Sequence, residues 1–222
     1  MPYQSIHTGT CVAKILTVSP DHPEPRSIGY AAELIRRGEV IGIPTDTFYG
    51  LAADPFNLAA VARIYEIKGR PERKALPILV TSVEQAQELT GDLPTGFFQL
   101  AERFWPGALT LVVDAARRVP LKVTGNTGRV ALRHPASKVP CELVAAAGGP
   151  VTGTSANLSG FAACTSAPQV VQQMGDRLLL ILDGGESKAV LASTVLDLRG
   201  DTWRVLREGP ITEQEIREAL GE

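Results

Sequence analysis

Residues 27–51 read SIGYAAELIRRGEVIGIPTDTFYGL. Ile28, Ala31, Ala32, Leu34 and Ile35 recur at the 3–4 spacing of an amphipathic helix. Arg36 and Arg37 place cations at its end and Gly38 stops it. Val40 to Ile43 is a short apolar run closed by Pro44, which reads as a strand. The turn that follows carries Thr45, Asp46 and Thr47 and meets Gly50. Such a turn either caps itself or aims hydroxyls and backbone amides at a ligand. Helix, strand and polar turn in this order set the expectation of an α/β fold with its chemistry at strand ends.

The rest of the chain repeats the alternation. Asn57 is placed to cap a helix through Lys68, with Leu58, Val61, Ile64 and Tyr65 on its apolar face. Leu76–Val80 reads as a strand, and Ser82 with Gln85 as a capping box. A helix from Phe97 stops at Trp105-Pro106-Gly107, and strands follow at Leu109–Val113 and Val130–Leu132. Val139–Ala147 reads as a helix and Val151–Thr154 as a strand. Ser166-Ala167-Pro168 opens a helix. Strands are expected at 178–183, 194–198 and 202–206, and Thr212 with Glu215 opens a last helix with a capping box. Pro20, Pro23 and Pro25 interrupt any helix before Ser27. The division expected is an extended lead-in over 1–26 and one α/β domain of α+β type over 27–222. That domain is a twisted mixed sheet covered by helices.

Composition narrows the function classes. The 222 residues carry 22 Lys+Arg against 24 Asp+Glu, so there is no basic excess of the kind a dedicated nucleic-acid module shows. Cys11, Cys141 and Cys164 are an odd, scattered set without a C-x-x-C, which argues against a disulfide scaffold and a zinc site and for a reducing cytoplasm. They read as small buried hydrophobes. No signal peptide and no apolar run of about 18 residues is expected, hence no membrane span. Neither Gly-rich phosphate cradle is present, nor H-E-x-x-H, nor G-x-S-x-G. His7, His22 and His134 lack metal-ligand spacing, and a Ser-His-Asp triad would rest on His134 alone.

Five segments hold the polar material. They are the Thr45–Thr47 turn; Lys68-Gly69-Arg70-Pro71 with Lys74; Arg133 at a strand end; Thr152–Gly160, with Ser155 and Asn157; and Ser193 entering one late strand with Arg207 leaving another. Cations past a helix end complement its dipole; a Lys-x-Arg fork between Gly69 and Pro71 also suits a polyphosphate. Together they supply a cationic, hydroxyl-lined pocket without a Cys or His nucleophile or a carboxylate pair. That favours electrostatic transfer chemistry on phosphate.

PTDTFYGL, KGRP, WPGALTLVV, VALRHP, TSANLSG, STVLDL and VLREG, in this order, resemble the YrdC family over about residues 31–209. The resemblance implies a fold with a concave electropositive cavity. It implies condensation of L-threonine, bicarbonate or CO2, and ATP to threonylcarbamoyl-AMP and pyrophosphate, with Mg2+ carried by the ATP phosphates. A downstream threonylcarbamoyl transferase then acts on tRNA adenosine 37. By the same resemblance Lys68 and Arg70 hold phosphates, Ser155 and Asn157 lie near the nucleotide, and Arg207 lies at ATP. Thr47, Arg133 and Ser193 surround threonine.

Three positions depart from the longer members: Lys74 stands for their asparagine, Ala75 for a proline and Leu79 for a histidine. Lys74 becomes an added candidate phosphate contact. The chain resembles the short, single-domain type. Two other readings stand beside the synthase: a YrdC-like paralogue with another adenylation or carbamoyl substrate, and an RNA-binding module, with weak tRNA contact as its lesser form.

Overall fold

The computed structural model describes residues 13–200 and 202–222. His7 and Cys11 lie outside them. The strands form two mixed sheets where one was expected. In the first, β1 (Lys14–Thr17), β9 (Leu180–Asp183), β2 (Ile41–Ile43), β3 (Gly50–Ala52) and β8 (Thr154–Ser155) lie side by side in that order. In the second the order is β11 (Thr202–Arg207), β10 (Thr194–Arg199), β5 (Leu109–Asp114), β6 (Arg129–Arg133), β4 (Ile78–Leu79) and β7 (Val151–Thr152).

The division turns on one glycine. The expected strand over 151–154 breaks at Gly153: β7 pairs with β4 in the second sheet, and β8 pairs with β3 in the first. Gly153 also lies against Leu79, where a Cβ would come within 2.5 Å of Leu79 Cδ2. The chain therefore changes sheets there with no room for a side chain.

Three of the local readings need correction. Helix α1 spans Pro25–Arg36, two residues earlier than Ser27, because Pro25 occupies the first turn, where its missing N–H costs nothing. Strand β4 is shorter than 76–80, and Pro77, which has no N–H for a ladder, immediately precedes it. In helix α3 (Val83–Gln87) Ser82 accepts from Gln85 N, but Gln85 Oε1 accepts from Thr81 N, so the box is only half closed. The box of α7 (Glu213–Leu220) closes in both directions. In α2 (Leu58–Lys68) Asn57 Oδ1 accepts from Ala59 N and Ala60 N, as the sequence suggested.

Helices α1 and α5 (Lys138–Ala147) bury one face of the first sheet with Ile28, Ile35, Leu143 and Val144 against Ile41, Ile43, Leu180 and Leu182. The larger core joins the other helices to one face of the second sheet through Leu109, Leu111, Val130, Leu132, Leu196 and Leu198. Strand alternation sends Thr110, Val112, Arg129, Ala131, Arg133, Val195 and Asp197 to the opposite face. That face carries the candidate site. Cys164 is buried, Cys141 is half-buried, and both are free thiols.

Candidate active site

At the seam between the sheets lies a cavity of about 110 Å3. Arg70, Arg133 and Arg207 line it together with Thr47, Ser155 and Ser193, and no acidic side chain does among the described residues. Arg70, Pro77, Thr110 and Arg207 also border a second chamber of about 350 Å3 over the second sheet. Its floor includes Val112, Ala131 and Val195, and Arg129, Arg199 and Arg204 stand around it with Asp197.

Each arginine is fixed by its neighbours. Arg133 Nε donates to Gly107 O at 2.9 Å, Nη1 to Thr47 Oγ1 at 2.8 Å and Nη2 to Asp46 Oδ2 at 2.7 Å. Arg207 donates through Nε and Nη2 to Ser193 O, and through Nη2 to Ser193 Oγ at 3.0 Å. Ser193 Oγ lies 2.8 Å from Thr110 Oγ1. Arg70 Nη2 donates to Ala75 O at 2.9 Å. Burial lowers the pKa of all three; for Arg207 the nearby Arg133 and Arg70 lower it further, while Asp46 opposes the shift at Arg133. Arginine stays charged under such pressure, so the cavity concentrates positive charge.

The nine residues expected at the site divide into two groups. Thr47, Arg70, Arg133, Ser155, Ser193 and Arg207 border the cavity. Lys68, Lys74 and Asn157 do not. Lys68 is 2% exposed, and its Nζ donates to the carbonyl oxygens of Ser155 and, at 2.8 Å, Asn157. It thus holds the backbone of the turn that carries Ser155. Gly69, in the left-handed conformation at φ 56°, ends α2 between Lys68 and Arg70, and only Arg70 reaches the cavity. Burial first, then Arg70, lower the Lys68 pKa to about 7, with Cys164 opposing. Asn157 Nδ2 donates to Leu158 O and Phe161 O, and its buried Oδ1 has no protein partner. The Lys74 side chain is exposed, and its carbonyl accepts from Tyr65 Oη at 3.0 Å.

Residue-by-residue reading missed Asp46 and Thr110. Asp46 sat inside the turn already singled out. Thr110 is the polar residue in the otherwise apolar run Leu109–Val113, and that interruption was its signal. The floor residues of the second chamber carry no local signal; only strand pairing gathers them.

The family model for Sua5, YciO and YrdC proteins, described as "Telomere recombination", matches residues 33–209. A threonylcarbamoyl-AMP synthase of Pyrococcus abyssi is 39% identical over 199 residues, 90% of this chain and 58% of its own. The chain thus spans little more than half of that relative. A Mycobacterium tuberculosis relative is 39% identical over 201 residues, 90% of this chain and 92% of its own. The crystal structure of P. abyssi Sua5 complexed with L-threonine superposes with a TM-score of 0.91 at 38% identity, covering 95% of this chain and 62% of that one.

Proposed function

The chain belongs to the Sua5/YciO/YrdC family, and from that premise we propose that it is an L-threonylcarbamoyladenylate synthase. The observation that carries the reading is the meeting of Arg70, Arg133 and Arg207 with the hydroxyls of Thr47, Ser155 and Ser193 in one cavity without an acid in its lining. Two anionic substrates must be held together there, and the cations offset their repulsion.

In this reading Arg133 takes the threonine carboxylate, beside Thr47 and Ser193. Arg70 and Arg207 take ATP phosphates, with exposed Lys74 as an outer phosphate contact. The apolar floor and arginine rim of the second chamber suit the nucleoside. The threonine amine adds to CO2, losing a proton to solvent, and gives a carbamate. A carbamate oxygen attacks the α-phosphorus, the bond to pyrophosphate breaks, and pyrophosphate leaves. The nucleophile is already anionic, so the cavity needs no strong base. Lys68 and Asn157 act through the turn that presents Ser155.

Among the described residues no cluster of three His, Cys, Asp or Glu stands ready for a metal. A Mg2+ held by ATP phosphates and water fits this lining better than one held by protein, and when bound it offsets phosphate charge. The catalytic unit, expected over residues 27–222, reaches back through α1 to β1, because Lys14–Thr17 is a strand of the first sheet. Its product is passed to a downstream threonylcarbamoyl transferase that modifies tRNA, in the cytoplasm. Among the described residues no helix is long and apolar enough to cross a membrane.

The test is pyrophosphate release from ATP and bicarbonate with and without L-threonine, with serine and alanine as controls. Threonine-dependent release is expected. ATP binding without it would overturn the reading in favour of a paralogue with another substrate; salt-dependent RNA binding alone would favour an RNA module.

A further inference from the structure

Strand pairing sets a row of side chains across the cavity floor. Leu79 on β4 is the registered partner of Arg133 on β6. Thr110 on β5 faces Arg133 from the other side, one step beyond the Leu111–Leu132 pair. Neighbouring strands lie about 4.8 Å apart, so Arg133 has an aliphatic residue on one flank and a hydroxyl on the other, each one strand away. Among the described residues Leu79 is the one branched aliphatic side chain in the cavity lining, and bare Gly153 gives it room. On the opposite flank Ser193 Oγ and Thr110 Oγ1 are 2.8 Å apart, and Arg207 Nη2 donates to Ser193 Oγ. Two hydroxyls bonded to each other use one hydrogen between them, so one remains to donate to a ligand.

We propose that Leu79 reads the methyl group of the amino-acid substrate and the Ser193–Thr110 pair reads its hydroxyl, on the two sides of the carboxylate held by Arg133. The inference rests on the synthase reading and deepens it. Threonine carries a methyl and a hydroxyl on one carbon, and a site with one flank for each distinguishes it from serine and from its own β-epimer. A methyl group in an apolar contact is worth about 10- to 200-fold in specificity, and a hydroxyl reader rejects a misplaced methyl by leaving a buried polar group unpartnered.

The experiment measures kcat/KM for pyrophosphate release, and calorimetric binding, with L-threonine, L-serine and L-allo-threonine. Wild-type protein is expected to prefer threonine over serine by at least tenfold and over L-allo-threonine by at least tenfold. Leu79→Ala is expected to lower the threonine-to-serine ratio at least fivefold, and Leu79→Met, which conserves volume, to keep it within about threefold of wild type. An unchanged ratio in a folded Leu79→Ala protein overturns the proposal. So does equal use of allo-threonine by wild type, a comparison that needs no variant to fold. Both of those outcomes leave the synthase reading standing. If no amino acid binds or supports release in wild type, the synthase reading fails and the inference falls with it.

Discussion

Arg133 Nη2 lies 2.7 Å from Asp46 Oδ2, so an arginine of the cavity is already paired with a carboxylate before any ligand binds. Both side chains are largely withdrawn from water, and Asp46 Oδ1 is buried with no protein partner. The pair keeps a buried guanidinium from standing uncompensated and aims it by one of its forks, leaving N–H groups for a ligand.

Removing the carboxylate strands the cation. Asp46→Ala is expected to destabilise the fold by about 3 kcal/mol, the usual cost of breaking a buried ion pair from one side. Urea denaturation measures this. Asp46→Asn, which can still accept from Nη2, should lose less than half as much. Threonine should restore part of the loss in Asp46→Ala by bringing a carboxylate of its own; equal stability of wild type and Asp46→Ala would remove the pair from the account.

Lys68 gives a pH signature. Its pKa, lowered to about 7 from 10.5, means that the folded chain binds fewer protons than the unfolded chain between those values. Stability from this group therefore rises with pH through that window. Relative to Lys68→Met, wild type should gain on the order of 1 kcal/mol per pH unit between pH 7 and 9. A flat difference would place the lysine in a more polar setting than its two carbonyl partners provide. Independently, amide exchange at Ala156–Ser159 should quicken in ligand-free Lys68→Met, because the clamp on this turn exists before ATP arrives.

Arg70 and Arg207 should separate in kinetics. Arg207 holds Ser193 as well as facing the cavity, so Arg207→Ala is expected to raise KM for both ATP and threonine, each about 10-fold or more. Arg70→Ala, which anchors only the Lys74–Ala75 backbone, should raise KM for ATP with little change for threonine. Identical profiles for the two variants would contradict this division.

Gly209 sets the backbone beneath Ser193. A Cβ there would come within 2.7 Å of the Ser193 carbonyl carbon and closer still to Thr194 N. All of these are backbone atoms that cannot swing aside. Gly209→Ala should cut threonine-dependent turnover at least tenfold and lower the melting temperature. Full activity would mean that this loop yields more readily than its contacts suggest.

Periodicity carried most of the helices and the long strands into view, because α2, β5 and β6 each repeat an apolar spacing over several residues. It failed where an element is defined by its partner. β1 lies beside the proline-rich lead-in and is a strand because β9 lies parallel to it. β3 has three residues after a polar turn and is fixed by β2. The site was legible as a set of residue types but not as a cavity. Lys68 and Arg70 are two apart in sequence, yet the left-handed glycine between them and the carbonyls of a turn 87 residues away send one inward and the other to the cavity.

The three-residue passage through Gly153 has a mechanical meaning. Thr47, Gly50 and Ser155 lie on the side of the first sheet, Thr110, Arg133 and Ser193 on that of the second, and the strap between Thr152 and Thr154 is one of the short tethers joining them. A ligand lodged among these groups is a crossbrace. The same joint that shapes the pocket thus gives a bound ligand contacts on both sheets at once.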